Sequence, residues 1–150
     1  MDKKLRIEEL REKYGERGVD TGIRLQGEHF LHSLHKFDEA DSEWTEQWVS
    51  WIYDYMYNRK RLDDRTRVLV IIGELTASGD NTPNLANHMR TALSAGATPE
   101  EILEVILQAS IYVGMPKAFQ SLKVYRDLMN DLELATFTDG PFDSTARDPR

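Results

Sequence analysis

No cysteine occurs among the 150 residues of this chain. That absence excludes disulfides, thiol nucleophiles, thiolate metal sites and cysteine-based peroxide reduction together. Long apolar runs are missing too: the longest, Val68 to Ile72, falls far short of the roughly 20 residues that a membrane-spanning helix needs. The opening residues Met1-Asp2-Lys3-Lys4-Leu5-Arg6 lead into charged sequence instead of the apolar core of an export signal, so a cytoplasmic protein with no membrane partner is expected. Basic runs are scarce. At a net charge of −7 the chain has no stripe of cations with which to hold phosphates, which argues against a nucleic-acid partner but not against a small anionic substrate in a pocket lined by a few arginines. Strand-like alternation, hairpin turns and a glycine-rich phosphate loop are likewise absent, and the expected fold class is all-α.

A hydrophobic content of 40% and a charged content of 30% are those of an ordinary globular protein, and the length suits one domain with a sizeable core. The spacing of apolar residues predicts six to seven helices over residues 1–134, followed by a flexible C-terminal tail over 135–150 that is rich in short polar residues. The first helix, about 2–16, has only a thin apolar stripe and reads as a docking arm. A second is expected from Asp20 or Thr21 to His35, weakened by Gly22 and Gly27, with Phe37 to Asp41 as a polar connection. Ser42 then caps a third, in which Trp44, Trp48, Trp51, Ile52 and Tyr55 form a stripe that reads as core or subunit interface. Asp63 or Asp64 caps a fourth, from about Arg65 to Ala77, apolar around most of its circumference. Thr82-Pro83 opens the fifth, ended by Gly96; Thr98-Pro99-Glu100-Glu101 opens the sixth as a capping box, ended by Gly114; and Pro116 opens the seventh.

His29, His32 and His35 invite a metal reading, but residues six apart lie about 240° around a helix, so the three do not converge locally, and no metal site is expected. His88 is different. It borders the inward face made by Leu85, Met89, Ala92 and Leu93, where a histidine satisfied by a carbonyl or carboxylate is the commoner role. Arg67 opens the fourth helix and Arg90 lies two residues beyond His88, so cations are expected to gather near this imidazole. An imidazole moves protons near neutral pH and a guanidinium binds a carboxylate in two-point fashion, so together they suit an anionic substrate. Tyr112, near the end of the sixth helix, offers a hydroxyl donor.

Four segments, in this order and spacing, resemble the carboxymuconolactone decarboxylase family: Arg65-Thr66-Arg67-Val68-Leu69-Val70-Ile71-Ile72, Asn87-His88-Met89-Arg90-Thr91-Ala92, Gly96-Ala97-Thr98-Pro99-Glu100-Glu101-Ile102 and Ile111-Tyr112-Val113-Gly114-Met115-Pro116. Upstream, Gly27-Glu28-His29-Phe30 resembles the family's Gly-acidic segment. Tyr57-Asn58-Arg59-Lys60-Arg61-Leu62-Asp63 resembles its Trp-x-Arg-Pro-Gly-Leu turn, with Tyr57 in place of Trp and Lys60-Arg61 in place of Pro-Gly. The wider superfamily includes alkylhydroperoxidase D proteins, whose motif is Glu, then Cys-x-x-Cys, then His. Placed without gaps on His88, that motif puts Leu69 at the glutamate and Asn81 and Asn84 at the cysteines, so the Cys-dependent peroxidase branch is excluded.

The resemblance implies an alkylhydroperoxidase D-like helical fold, assembly as a homo-oligomer (a trimer or hexamer), no cofactor, and decarboxylation of a carboxylated lactone such as 4-carboxymuconolactone. It implies His88 as acid/base, Arg67 as the group that binds carboxylate or developing enolate, and Tyr112 as a hydrogen-bond donor. Arg90, Trp51, Tyr57, Glu28 and His29 are the expected substrate-binding residues. A related proton-transfer enzyme of isomerase or cyclase type, and a non-catalytic oligomeric binding protein, are the alternatives.

Overall fold

In a computed structural model that describes residues 3–80 and 82–134, every element is helical. They are α1 (Lys3–Tyr14), α2 (Glu16–Gln26), α3 (Glu28–Ala40), α4 (Ser42–Trp48), a π-helix (Val49–Met56), α5 (Asp64–Ser78), α6 (Pro83–Ser94), α7 (Pro99–Val113) and α8 (Met115–Asp131). The protein is all-α. The expected tail, 135–150, lies outside the described residues. Among those residues no helix is long and apolar enough to cross a membrane. They form two compact units, residues 3–68 with 90–96 and residues 69–89 with 97–134, and α5 and α6 each begin in one unit and end in the other.

The first unit is built on aromatic packing. Fully buried Phe30 meets Tyr53 edge-on at 4.6 Å and Trp48 at 6.1 Å between ring centroids. Such ring pairs add to the burial of their area. Phe30 reaches this position because Gly22, in the middle of α2, leaves no Cβ where its ring lies, and Gly18 one turn earlier gives the same close approach to Val49, 2.9 Å from where a Cβ would stand. The glycine that the sequence presents as a weak point of α2 is therefore the slot for the core. Gly27, at φ 54° and ψ −128°, breaks the expected second helix into α2 and α3. This backbone conformation is open to glycine and costly for other residues. Downstream of it α3 runs on to Ala40 through the segment expected as a loop, and Asp41 in place of Ser42 caps α4 by accepting from the Trp44 amide at 2.9 Å.

Where one long aromatic helix is expected, the backbone widens into the π-helix. The Tyr57 amide donates to the Ile52 carbonyl, five residues back, at 2.9 Å. Residues four apart then stack along one line, and the buried line is Thr45, Val49, Tyr53 and Tyr57. Trp44, Trp51 and Tyr55, expected as core or interface, are about half exposed or more in the single chain. Asn58 closes the π-helix: its side-chain amide donates to the carbonyls of Tyr53 at 2.8 Å and Asp54 at 3.2 Å, and to Thr21 Oγ1 at 2.9 Å. Carbonyls that the changed ladder leaves open are thereby satisfied.

In the second unit the ends of the helices follow local sequence closely. The Glu101 amide donates to Thr98 Oγ1 at 3.3 Å while the Thr98 amide donates to Glu101 Oε2 at 2.9 Å, a complete capping box for α7. Gly114, at φ 83°, ends α7 and starts α8 one residue before Pro116. The α5 backbone passes close to α7 at Gly73, and Lys117 Nζ of α8 donates to the Ala77 carbonyl at 2.5 Å. On α5 itself only Val68, Ile72 and Thr76 are fully buried, and Val70 is 49% exposed, so this helix is amphipathic instead of enclosed on all sides.

Candidate active site

Asp63 accepts the Thr66 amide at 2.7 Å through Oδ1 and so starts α5; the residue that follows Thr66 is Arg67. The guanidinium of Arg67 is fixed by Nη2, which donates to the Arg59 carbonyl at 3.0 Å and reaches the Leu62 carbonyl at 3.5 Å. Its Nε is buried and has no hydrogen-bond partner among the described residues. An arginine tied to the backbone by one edge, with a desolvated donor on another, is set to receive a carboxylate oxygen. Neighbouring sequence supplies the latch, because Arg59 to Leu62 is the turn between the π-helix and α5.

The other expected residues of the first unit are spread over several faces. Tyr57 is buried, with its ring stacked on Tyr53 at 5.6 Å. Trp51 is 59% exposed and stacks on Tyr55 at 5.1 Å, and the Arg59 guanidinium lies 5.6 Å above the Tyr55 ring. Trp51 and Tyr57 therefore do not share a face. Arg90 is exposed on α6. His29 is half-buried in the first turn of α3; burial, and then the charge of His32 one turn on, push its imidazole below the ordinary histidine value. Glu28 opens onto a groove of about 850 Å³ between α1 and α3, which Arg6, Lys13, His32, His35 and Asp38 also line. A second hollow of about 470 Å³ is lined by Arg24, Asp64, Arg65 and Thr91. Neither includes Arg67, His88 or Tyr112. Among the described residues no group of three or more His, Asp or Glu side chains is arranged to hold a metal ion.

His88 and Tyr112 belong to the second unit. His88 is half-buried on α6, beside fully buried Leu85 and Met89. Its position follows from the start of α6: the Asn84 amide donates to Thr82 Oγ1 at 3.3 Å, Pro83 takes the first turn, and His88 falls one turn after Asn84. Sequence reasoning did not single out Asp80, whose carboxylate, in the turn before α6, accepts from Thr82 and Asn84. Burial works against its ionisation, yet donors from Thr82 and Asn84 together with the His88 charge hold it below its ordinary value. Asp80, Asn84 and His88 are each four residues from the next, but Asp80 lies before the helix begins, so the spacing alone does not join them. Tyr112 is 87% exposed, and Leu107, Ile111, Met115 and Phe119, from the end of α7 into α8, are exposed apolar side chains as well.

The profile of the carboxymuconolactone decarboxylase family matches residues 42–127, which include Trp51, Tyr57, Arg67, His88, Arg90 and Tyr112. The chain belongs to this family. Among its relatives, an uncharacterized 15.0 kDa protein from the nqo9-nqo10 intergenic region of Paracoccus denitrificans is 35% identical over 100 residues, covering 65% of this chain and 72% of that one. A 4-carboxymuconolactone decarboxylase of Acinetobacter baylyi is 27% identical over 119 residues, covering 79% of this chain and 88% of its own. The nitrosuccinic acid decarboxylase npaB of Metarhizium robertsii is 26% identical over 118 residues, covering 75% and 82%. Two of these relatives thus bear the names of decarboxylases, which supports a decarboxylase-type role for this chain.

Proposed function

We propose that the protein is a carboxy-lyase that removes carbon dioxide from a carboxylated lactone of the 4-carboxymuconolactone type, without a cofactor, and returns a proton to the carbanion formed. The two relatives named as decarboxylases support the reaction class, and their substrates share one feature. In each, the bond to the departing carboxylate can break into a conjugated acceptor, a lactone carbonyl in one and a nitro group in the other. The electron pair of the broken C–C bond is delocalised as an enolate or nitronate, and protonation at carbon completes the reaction. No electrons are gained or lost overall.

The observation that carries the reading to residues is the half-committed guanidinium of Arg67, a buried Nε donor on a side chain otherwise locked to two carbonyls. In the proposal Arg67, with Arg90, binds carboxylate and the developing enolate, where a preset donor strengthens as charge builds. His88 is the acid that returns the proton. Tyr112 donates a hydrogen bond, and Trp51, Tyr57, Glu28 and His29 are the remaining proposed substrate contacts, although Trp51 and Tyr57 do not share a face of the single chain. Because Tyr112 and its apolar neighbours are exposed in the single chain, we further propose that the protein works as a homo-oligomer, a trimer or hexamer, in which a second copy covers this surface.

The test is carbon dioxide release from a panel of γ-carboxylactones, nitrosuccinate and unsaturated acids. Release from a lactone is expected, and His88→Ala is expected to lower kcat by about 10²–10⁴-fold. Turnover of a panel acid without carbon dioxide would replace the decarboxylase reading with an isomerase or cyclase. Undiminished turnover in His88→Ala would remove that residue from the chemistry.

A further inference from the structure

Asp80 lies in the turn between α5 and α6, and its carboxylate is held at both oxygens. Oδ1 accepts the Thr82 amide at 2.8 Å and the Thr82 hydroxyl at 2.5 Å, and Oδ2 accepts Asn84 Nδ2 at 3.1 Å. Behind it, the Asp80 amide donates to the Leu75 carbonyl at 3.0 Å, and Gly79 at φ 81° makes the turn that allows this. The carboxylate is thus held by the Thr82 amide and by the Thr82 and Asn84 side chains at the start of α6, on a backbone anchored to the end of α5.

Asn84 and His88 stand one turn apart on the same face of α6. Helical side chains lean toward the N-terminus of their helix, so the imidazole of His88 leans toward Asn84 and the carboxylate that Asn84 holds. The His88 charge is the smallest of the influences on the Asp80 carboxyl, and its direction agrees with this line of side chains. The other cation brought close to the turn is Lys117 of α8, packed on Gly79, and its ammonium is engaged by the Ala77 carbonyl. Glu74 of α5 is exposed.

We propose that Asp80, clamped by Thr82 and Asn84, is a positioning residue that orients the His88 imidazole and favours its protonated form for delivery of the proton. The catalytic step rests on the decarboxylase reading; the pairing of Asp80 with His88 does not. An imidazolium that must wait for a carbanion needs a fixed negative neighbour, which stabilises the charged ring and restricts its rotation. A carboxylate at this place also favours the N-terminus of α6. That structural role would change stability and leave the titration of His88 alone.

The experiment follows the imidazole resonances of His88 by NMR against pH in the full chain, assigned by their loss in His88→Gln, for wild type, Asp80→Asn, Asp80→Glu and Asn84→Ala. Carbon dioxide release is measured on the same proteins. The His88 midpoint is expected to be lower in Asp80→Asn than in wild type and to recover in part in Asp80→Glu. In Asp80→Asn kcat should fall by about 10-fold or more with KM changed by less than about 3-fold. Asn84→Ala keeps both charges and loosens the clamp, so it should move the midpoint in the same direction by less; it serves if Asp80→Asn does not fold. Coincident midpoints in wild type and a folded Asp80→Asn, or in wild type and Asn84→Ala if only that variant folds, would overturn the proposal. Shifted midpoints without carbon dioxide release from any substrate would support the pairing and count against the decarboxylase reading instead.

Discussion

A single missing methyl group decides how the first unit packs. The Phe30 ring occupies the space that a Cβ on Gly22 would need, and Phe30 cannot give way because Trp48 and Tyr53 hold it. Gly22→Ala is therefore expected to destabilise the protein by about 1–3 kcal/mol, as overpacking of a tight core does. Gly73 offers the opposite case. A Cβ there meets Val105 at 3.5 Å, an ordinary contact, and the residue lies inside α5 where alanine is the better helix former. Gly73→Ala should raise stability by about 0.5–1 kcal/mol. Denaturant midpoints at constant m-value would check both signs, and a loss of stability in Gly73→Ala would contradict the packing described. Arg67 carries its own residue-scale lesson: the sequence marks it as a cation near the site, while only the coordinates show one edge of it bound to the 59–62 turn.

At the scale of elements, α1 is fastened to α3 by charge more than by burial. Lys13 Nζ donates to Asp38 Oδ1 at 2.7 Å, and the Tyr14 hydroxyl donates to the same oxygen. The Lys13 ammonium first, and the Tyr14 hydroxyl second, hold the Asp38 carboxyl down at about 2. A carboxyl that is more acidic folded than unfolded stabilises the fold fully above its unfolded value, near 3.8, and loses that contribution as pH falls toward 2. Amide hydrogen exchange in α1 should therefore accelerate, relative to the rest of the chain, between about pH 4 and pH 2. Asp38→Asn should exchange faster at neutral pH and lose this dependence; an unchanged acid response in that variant would dismiss the fastening.

Which elements could be foreseen depended on whether their signals were local. Thr98 with Glu101, Asp63, Pro83 and Gly114 mark helix ends through bonds made within a few residues, and those ends stand where expected to within a residue or two. The π-helix carries no such mark. With a helix of ordinary pitch assumed, the tryptophans look like a stripe for the core or a subunit interface; with hydrogen bonds five residues back, Val49, Tyr53 and Tyr57 are the buried line, Trp48 is half-buried, and Trp44 and Trp51 are exposed in the single chain. Gly27 was legible as a weakness but not as a break, since its backbone conformation depends on how α2 and α3 pack. The candidate site divides in the same way. His88, Arg67 and the family could be read from residues in order, whereas Asp80 depends on a turn whose donors come from two later residues.

At the scale of the whole molecule, the apolar surface of Leu107, Ile111, Tyr112, Met115 and Phe119 is the part of the single chain least suited to water. If a second copy covers it, a charge placed there should dissociate the oligomer while leaving the monomer folded. Ile111→Asp is expected to shift the sedimentation coefficient from that of an oligomer to that of a monomer with little change in helical circular dichroism. A wild-type protein that sediments as a monomer, or an Ile111→Asp oligomer of unchanged size, would refute the assignment of this surface.

The three tryptophans, Trp44, Trp48 and Trp51, all lie in the first compact unit, on α4 and the π-helix, and the second unit has none. Nature has thereby labelled one half of the protein with a fluorophore and left the other dark. Emission from the indoles follows the melting of residues 3–68 with 90–96, while the far-ultraviolet ellipticity follows every helix in the chain. Superimposable curves from the two signals would mark a single cooperative transition, and separated curves would give the order in which the halves are lost.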